Sequence, residues 1–289
     1  MSGTPPADIE INELIVRGLI QIQFPSLSEL PLTEVGSGWD NVTYRLGEKL
    51  AIRIPRRKAF ANSILIEQEN LTKLTLNIPI PKPIYLGNPT MDFPYPWSIV
   101  PWLTGETADL QPPNPTEATT LANFLKSLHQ PAPTDAPYNP YRGCNLDFRE
   151  DMLQKGQLNI NSLLPQHCQM QWRRALHAEP FPVENRPWVH GDLHPQNILT
   201  QDGTITAILD WGDLTSGDPA VDAAAFYMLF LEPNAIESYT TDPNLIARAQ
   251  GWAILFVALI LSKDPEQTSR HSQTCLQTLK TLAKAPLMP

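Results

Sequence analysis

The stretch VHGDLHPQNILTQDGTITAILDWGD, residues 189–213, limits the fold more than any other part of this chain. Asp202 and Gly203 stand between two apolar runs, and Asp-Gly in that setting is the strongest two-residue hairpin signal, because a type I′ turn needs positive φ at both central positions. With those residues as the loop, Gln201 pairs with Thr204, and counting back sets Asn197 opposite Ile208. Asp210 follows two residues later, so the period-two rule predicts it on the same sheet face as Asn197, with the α-carbons roughly 8 Å apart.

The chain on either side differs in character. In IEINELIVRGLIQIQF, Leu14, Ile15, Gly18, Leu19 and Ile22 recur near helical spacing, which predicts a helix over residues 9–23, ended by Pro25. TEVGSGWDNVTYRLGEKLAIRIP then reads as two antiparallel hairpins in series. A helix over 63–74 follows, and IPIPKPIYLG and WSIVPWL supply further strands, for a five-stranded sheet with one main helix. After Gly105 the pattern turns helical. Asn114-Pro-Thr-Glu117 reads as N-cap, N1 proline and N3 glutamate of a helix reaching His129, and further helices are expected over 147–157, 165–178, 219–231 and 243–262. The expectation is an α+β chain in two lobes, a small antiparallel-sheet lobe over 1–99 and a larger helical lobe over 106–289, joined by a linker at 100–105.

Composition narrows the class. Thirty prolines, about twice ordinary usage, gather in loop runs such as QPAPTDAPYNP. Cys144, Cys168 and Cys275 stand far apart, so neither a disulfide framework nor a zinc knuckle is indicated, and a reducing cytoplasm is expected. The N-terminus lacks a basic and apolar leader pattern, and the apolar run Trp252–Ser262 is too short to span a bilayer, so no membrane partner is expected. A net charge of -9 argues against nucleic acid as a partner. Residues 1–97 carry 9 basic and 10 acidic side chains against 12 and 20 in residues 98–289, an imbalance that favours a cationic substrate.

Asp192, Asn197 and Asp210 carry the chemistry. A carboxylate and an amide oxygen are the ligands Mg²⁺ prefers, with substrate phosphates and water completing its octahedron. Asp192 lies on the loop entering the strand, where it can orient a substrate hydroxyl and accept its proton in phosphoryl transfer. A zinc site at His190, Asp192 and His194 has the wrong context, because Pro195 breaks the helix such a site would use. Walker A, G-x-S-x-G and H-E-x-x-H patterns do not occur.

Asp-x4-Asn followed by Asp-x-Gly, with Gly191 and Trp211 at substituted positions, resembles the protein-kinase pattern. Over nearly its whole length the chain resembles the aminoglycoside phosphotransferase family, which has the protein-kinase-like fold and includes antibiotic and small-metabolite kinases. The resemblance implies a small-molecule kinase with Asp192 as catalytic base, Asn197 and Asp210 as metal ligands, and His190 as the structural head of the loop. His194 would support the loop or face substrate, and Asp218 and Asp222 of GDPAVD would cap loop and helix. It implies ATP or GTP held by Ser37 and Gly38 of a shortened glycine loop, by Ala51, by Arg53 in place of the typical lysine, by Glu67 as its ion-pair partner with Glu69 as competitor, and by the linker residues Val100, Trp102 and Leu103. Arg keeps the lysine's charge and changes its geometry. The acceptor would be a small hydroxylated molecule such as an aminoglycoside or macrolide; a kinase-like regulatory or scaffold protein without turnover is the alternative.

Overall fold

The computed structural model describes residues 6–38, 40–156, 162–182, 184 and 186–288. The chain falls into two compact units, one of residues 1–75 and 79–103, the other of 76–78 and 104–289.

In the first unit α1 (Glu13–Gln23) begins where Asn12 accepts the Ile15 N–H at 3.1 Å, four residues later than periodicity alone predicts. Strands β1 (Leu32–Ser37), β2 (Asn41–Leu46), β3 (Leu50–Pro55), β4 (Tyr85–Gly87) and β5 (Trp97–Pro101) form the expected five-stranded sheet, antiparallel throughout, in the order β1-β2-β3-β5-β4. Val16, Leu19 and Ile20 of α1 pack into one core with Val42, Tyr44, Ile52, Ile54, Trp97 and Ile99. Helix α2 (Lys58–Asn70), continued by a 3-10 turn over Leu71–Lys73, starts five residues before the predicted onset. Its first turn has no local cap; the carboxylate of Asp8 accepts the Lys58 N–H at 2.8 Å, from fifty positions away. Both faces of β3 are therefore covered, and Ala51 and Arg53 are buried along with Ile52 and Ile54.

The second unit is mostly helical. Strand β6 (Glu106–Thr107) precedes α3 (Glu117–Leu128), α4 (Leu146–Lys155) and α5 (Gln166–His177). The predicted helix over 147–157 ends with Lys155, and its residue 157 lies outside the described residues. Then come β7 (Trp188–Val189), β8 (Ile198–Gln201), β9 (Thr204–Ile208) and β10 (Thr215–Ser216), the short α6 (Ala220–Ala223) and α7 (Ala225–Leu229), α8 (Pro243–Leu261) and α9 (Arg270–Lys284). The expected capping box at Asn114 does not form. Helix α3 starts two residues later, and the Glu117 carboxylate accepts the Ile205 N–H of β9 at 3.0 Å instead. The expected helix over 219–231 is two short helices, and α9 was not expected.

Helix α8 extends the apolar run noted in the sequence. The stretch Pro243–Lys263, α8 with the two residues after it, is long and apolar enough to cross a membrane by length and composition, but 78% of its most apolar window is buried, and α8 packs against α5, α6 and α9. It packs as a core helix, with Trp252 fully buried; Trp172, Phe226 and Tyr227 are core residues as well.

Candidate active site

The Asp202-Gly203 hairpin forms as predicted, with φ of 53° and 77° at the two positions, the pair of left-handed residues a type I′ turn needs. The register beyond it differs. A bulge lies between Leu199 and Thr200, where Thr206 is the extra residue of β9, so Ile198, not Asn197, faces Ile208. The Thr206 hydroxyl donates to the Thr104 carbonyl at 2.9 Å. Asn197 lies in a 3-10 turn, Pro195–Asn197, and its carbonyl accepts the Leu209 N–H at 2.7 Å. Asp210 thus follows one residue past that pairing rather than two, and strand alternation no longer puts it on the face of Asn197. Its orientation is set by a φ of 55°, a left-handed conformation that Asp tolerates better than most side chains.

The loop from His190 to His194 is held from several directions. His190 is fully buried against the Trp211 ring, at 4.6 Å between centroids. Its Nδ1 accepts the Asp192 N–H at 3.2 Å, so the network assigns the proton to Nε2, which donates to the Leu209 carbonyl at 2.9 Å. One imidazole thereby ties the loop bearing Asp192 to the strand end bearing Asp210. Gly191 has φ of 85°, and a Cβ there would come within 2.9 Å of the Asp213 carbonyl and 3.0 Å of Arg142 Cβ, so only glycine fits. The Asn197 amide nitrogen donates to the Asp192 carbonyl at 2.9 Å and lies 3.2 Å from His194 Nε2. With the nitrogen engaged inward, the amide oxygen is the group left to ligate a cation.

Asp192 has Oδ1 2.7 Å from an Arg142 nitrogen and Oδ2 3.6 Å from His194 Nε2. Burial pushes its carboxyl up, but the Arg142 guanidinium, then His194 and His190, outweigh burial and hold it well below the usual carboxylate range. Among the described residues no group of three or more His, Cys, Asp or Glu side chains is arranged to hold a metal ion.

In the first unit Arg53 donates to Glu67 at 2.7 Å inside the fold, and the competitor Glu69 is exposed. Ala51 pairs with Val100 across β3 and β5, both buried. The Trp102 N–H donates to the Lys49 carbonyl at 2.8 Å while its ring lies under the Arg45 guanidinium, 4.8 Å away, and Leu103 beside it is half-buried. Ser37 ends β1 opposite Val42, its side chain lying outside the described residues, and exposed Gly38 donates to the Asn41 carbonyl at 2.9 Å.

A family model described as the phosphotransferase enzyme family (APH) matches residues 31–253. The chain belongs to that family. Among curated proteins this chain is 30% identical over 134 residues to the uncharacterized protein YcbJ of Bacillus subtilis (strain 168), a match covering 43% of this chain and only 42% of that relative. Among solved structures, the GDP complex of aminoglycoside 2'-phosphotransferase-IIIa is similar with a TM-score of 0.68 and 19% identity, over 94% of this chain and 99% of that one. The gentamicin–APH(2")-IIa complex gives 0.57 at 18% identity over 97% and 98%. The macrolide 2'-phosphotransferase MphH of Brachybacterium faecium gives 0.54 at 18% over 86% and 91%. At such identities the likeness is one of fold, and it is the protein-kinase-like fold of these phosphotransferases.

The sequence alone did not reveal two supports of the loop from His190 to His194. Asp222, expected only to cap, is fully buried, and its carboxylate accepts the His190 N–H at 2.7 Å and the Gly191 N–H at 2.9 Å. It also faces His129 Nε2 at 3.1 Å, while His129 Nδ1 meets the Tyr239 hydroxyl at 2.6 Å. Asp218 does cap, accepting the Ala220 N–H, and it also binds Arg248 at 2.6 Å. His271 of α9 packs its ring 5.6 Å from that of His194, next to the loop. The second support is Arg142, from the loop between α3 and α4. No local pattern marks these residues, since their partners are many positions away in the chain.

Proposed function

We propose that this phosphotransferase transfers the γ-phosphoryl group of ATP or GTP to a hydroxyl of a small molecule, such as an aminoglycoside or macrolide. The acceptor oxygen bonds to the γ-phosphorus as the bond to the β–γ bridging oxygen breaks. The hydroxyl proton passes to the Asp192 carboxylate, and the nucleoside diphosphate leaves. Asn197 and Asp210 offer only oxygen to a cation, which fits Mg²⁺ completing its coordination with phosphates and water. Bound Mg²⁺ would neutralise the charge that builds on the transferring group. Arg53, braced by Glu67, binds phosphate oxygens; Ala51, Val100, Trp102 and Leu103 receive the base, and Ser37 and Gly38 lie over the phosphates. The buried, free cysteines suit a reducing cytoplasm.

The observation that carries this reading is the placement of the Asp192 carboxylate on a loop pinned by Asn197, His190 and Asp222. A regulatory protein without turnover has no use for such a fixed acid. Purified protein with Mg–ATP or Mg–GTP and a panel of aminoglycosides, macrolides and other alcohols is expected to phosphorylate at least one, and Asp192→Asn to lose on the order of 10²–10⁴ in kcat. Nucleotide binding with no transfer to any acceptor would oppose it.

A further inference from the structure

The geometry points to Arg142 as a positioning residue for the transfer, one that fixes which Asp192 oxygen meets the acceptor. The inference rests on the phosphotransfer reading above. The guanidinium lies between two carboxylates, 2.7 Å from Asp192 Oδ1 and, through Nε, 3.2 Å from Asp213 Oδ2. Its flat face covers the Phe256 ring of α8 at 4.8 Å. Asn139 sets the aim: its Oδ1 accepts the N–H groups of Tyr141 at 2.9 Å and Arg142 at 3.1 Å, and its Nδ2 donates to Asp213 Oδ1 at 2.7 Å.

An exposed ion pair would carry little meaning, since such pairs contribute almost nothing. Arg142 is different because Nε and Nη2 each meet a carboxylate and one face is covered, and its side chain is 18% exposed. With Oδ1 held by Arg142, Oδ2, which lies 3.6 Å from His194 Nε2, is the oxygen offered to an incoming hydroxyl. A carboxylate without that anchor has a broad terminal torsion and a second charge at Asp213 to repel it.

The test uses turnover of Mg–ATP and Mg–GTP, alone with water as acceptor and with the alcohol panel, alongside thermal melts. Arg142→Met is expected to lower kcat at least about ten-fold with the nucleotide KM within about two-fold, since small misplacement at the reacting centre costs rate rather than nucleotide affinity. Arg142→Lys keeps the charge but loses the fork, and it is expected to recover only part. In an Asp192→Asn background, Arg142→Met is expected to change nothing further. Unchanged kcat in Arg142→Met, or an equal loss with and without Asp192, would overturn the inference while leaving phosphotransfer intact. Should Arg142→Met not fold, Arg142→Lys decides, and wild-type kcat there overturns the inference. No turnover by the wild type with any acceptor defeats the phosphotransfer reading and this inference with it.

Discussion

Asp222 shows how much one buried side chain does here. Its two oxygens satisfy the His190 and Gly191 N–H groups and face His129, whose other nitrogen meets Tyr239. Burial, then the charges of Asp222 and Asp218, raises the Tyr239 hydroxyl well above its ordinary range, so it stays protonated and can donate to His129. Asp222→Ala would leave two buried N–H groups unpaired, each costing about 1–3 kcal/mol. We expect it to lose about 3 kcal/mol or more by chemical denaturation, and Asp222→Asn, which keeps one acceptor oxygen, to lose less. A mutant matching wild-type stability would show that water replaces the carboxylate. None of this was legible locally: GDPAVD reads as a cap, and only Asp218 caps.

At the scale of elements, periodicity and turn chemistry were reliable where partners are near in sequence, and failed where a distant group decided an end. The sheet, its order of hairpins and the Asp202-Gly203 turn follow from alternation and from the φ those residues accept. The onsets of α2 and α3 do not, because Asp8 caps the first and Glu117 is drawn to β9. Two glycines give a paired test. Gly18, within α1, has open space where a Cβ would stand, so Gly18→Ala should stabilise by about 0.5–1 kcal/mol. A Cβ on Gly251 of α8 would come within 2.5 Å of Ala175 Cβ and 2.7 Å of Leu146 Cδ1. The first of those neighbours cannot rotate away, so overpacking of about 1–3 kcal/mol should outweigh the gain in helix propensity. Denaturation midpoints of the two variants should move in opposite directions.

For the whole molecule, binding of Mg–ATP or Mg–GTP should raise the melting temperature, since a ligand at a hundred times its Kd stabilises by about 2.7 kcal/mol. Arg53→Met is expected to abolish the rise, measured against each variant's own ligand-free melt, whereas Asp192→Asn should keep it. An undiminished shift in Arg53→Met would remove Arg53 from nucleotide binding. By itself the sequence determined the fold class and the Asp202-Gly203 hairpin, because strand period and turn φ act over a few bonds. Only the tertiary structure decided the register of Asn197, the left-handed backbone at Asp210 and the anchoring of Asp192 by Arg142 and Asp222. Those depend on charges and hydrogen bonds between segments far apart in the chain, whose meeting is fixed by packing and leaves no periodic trace.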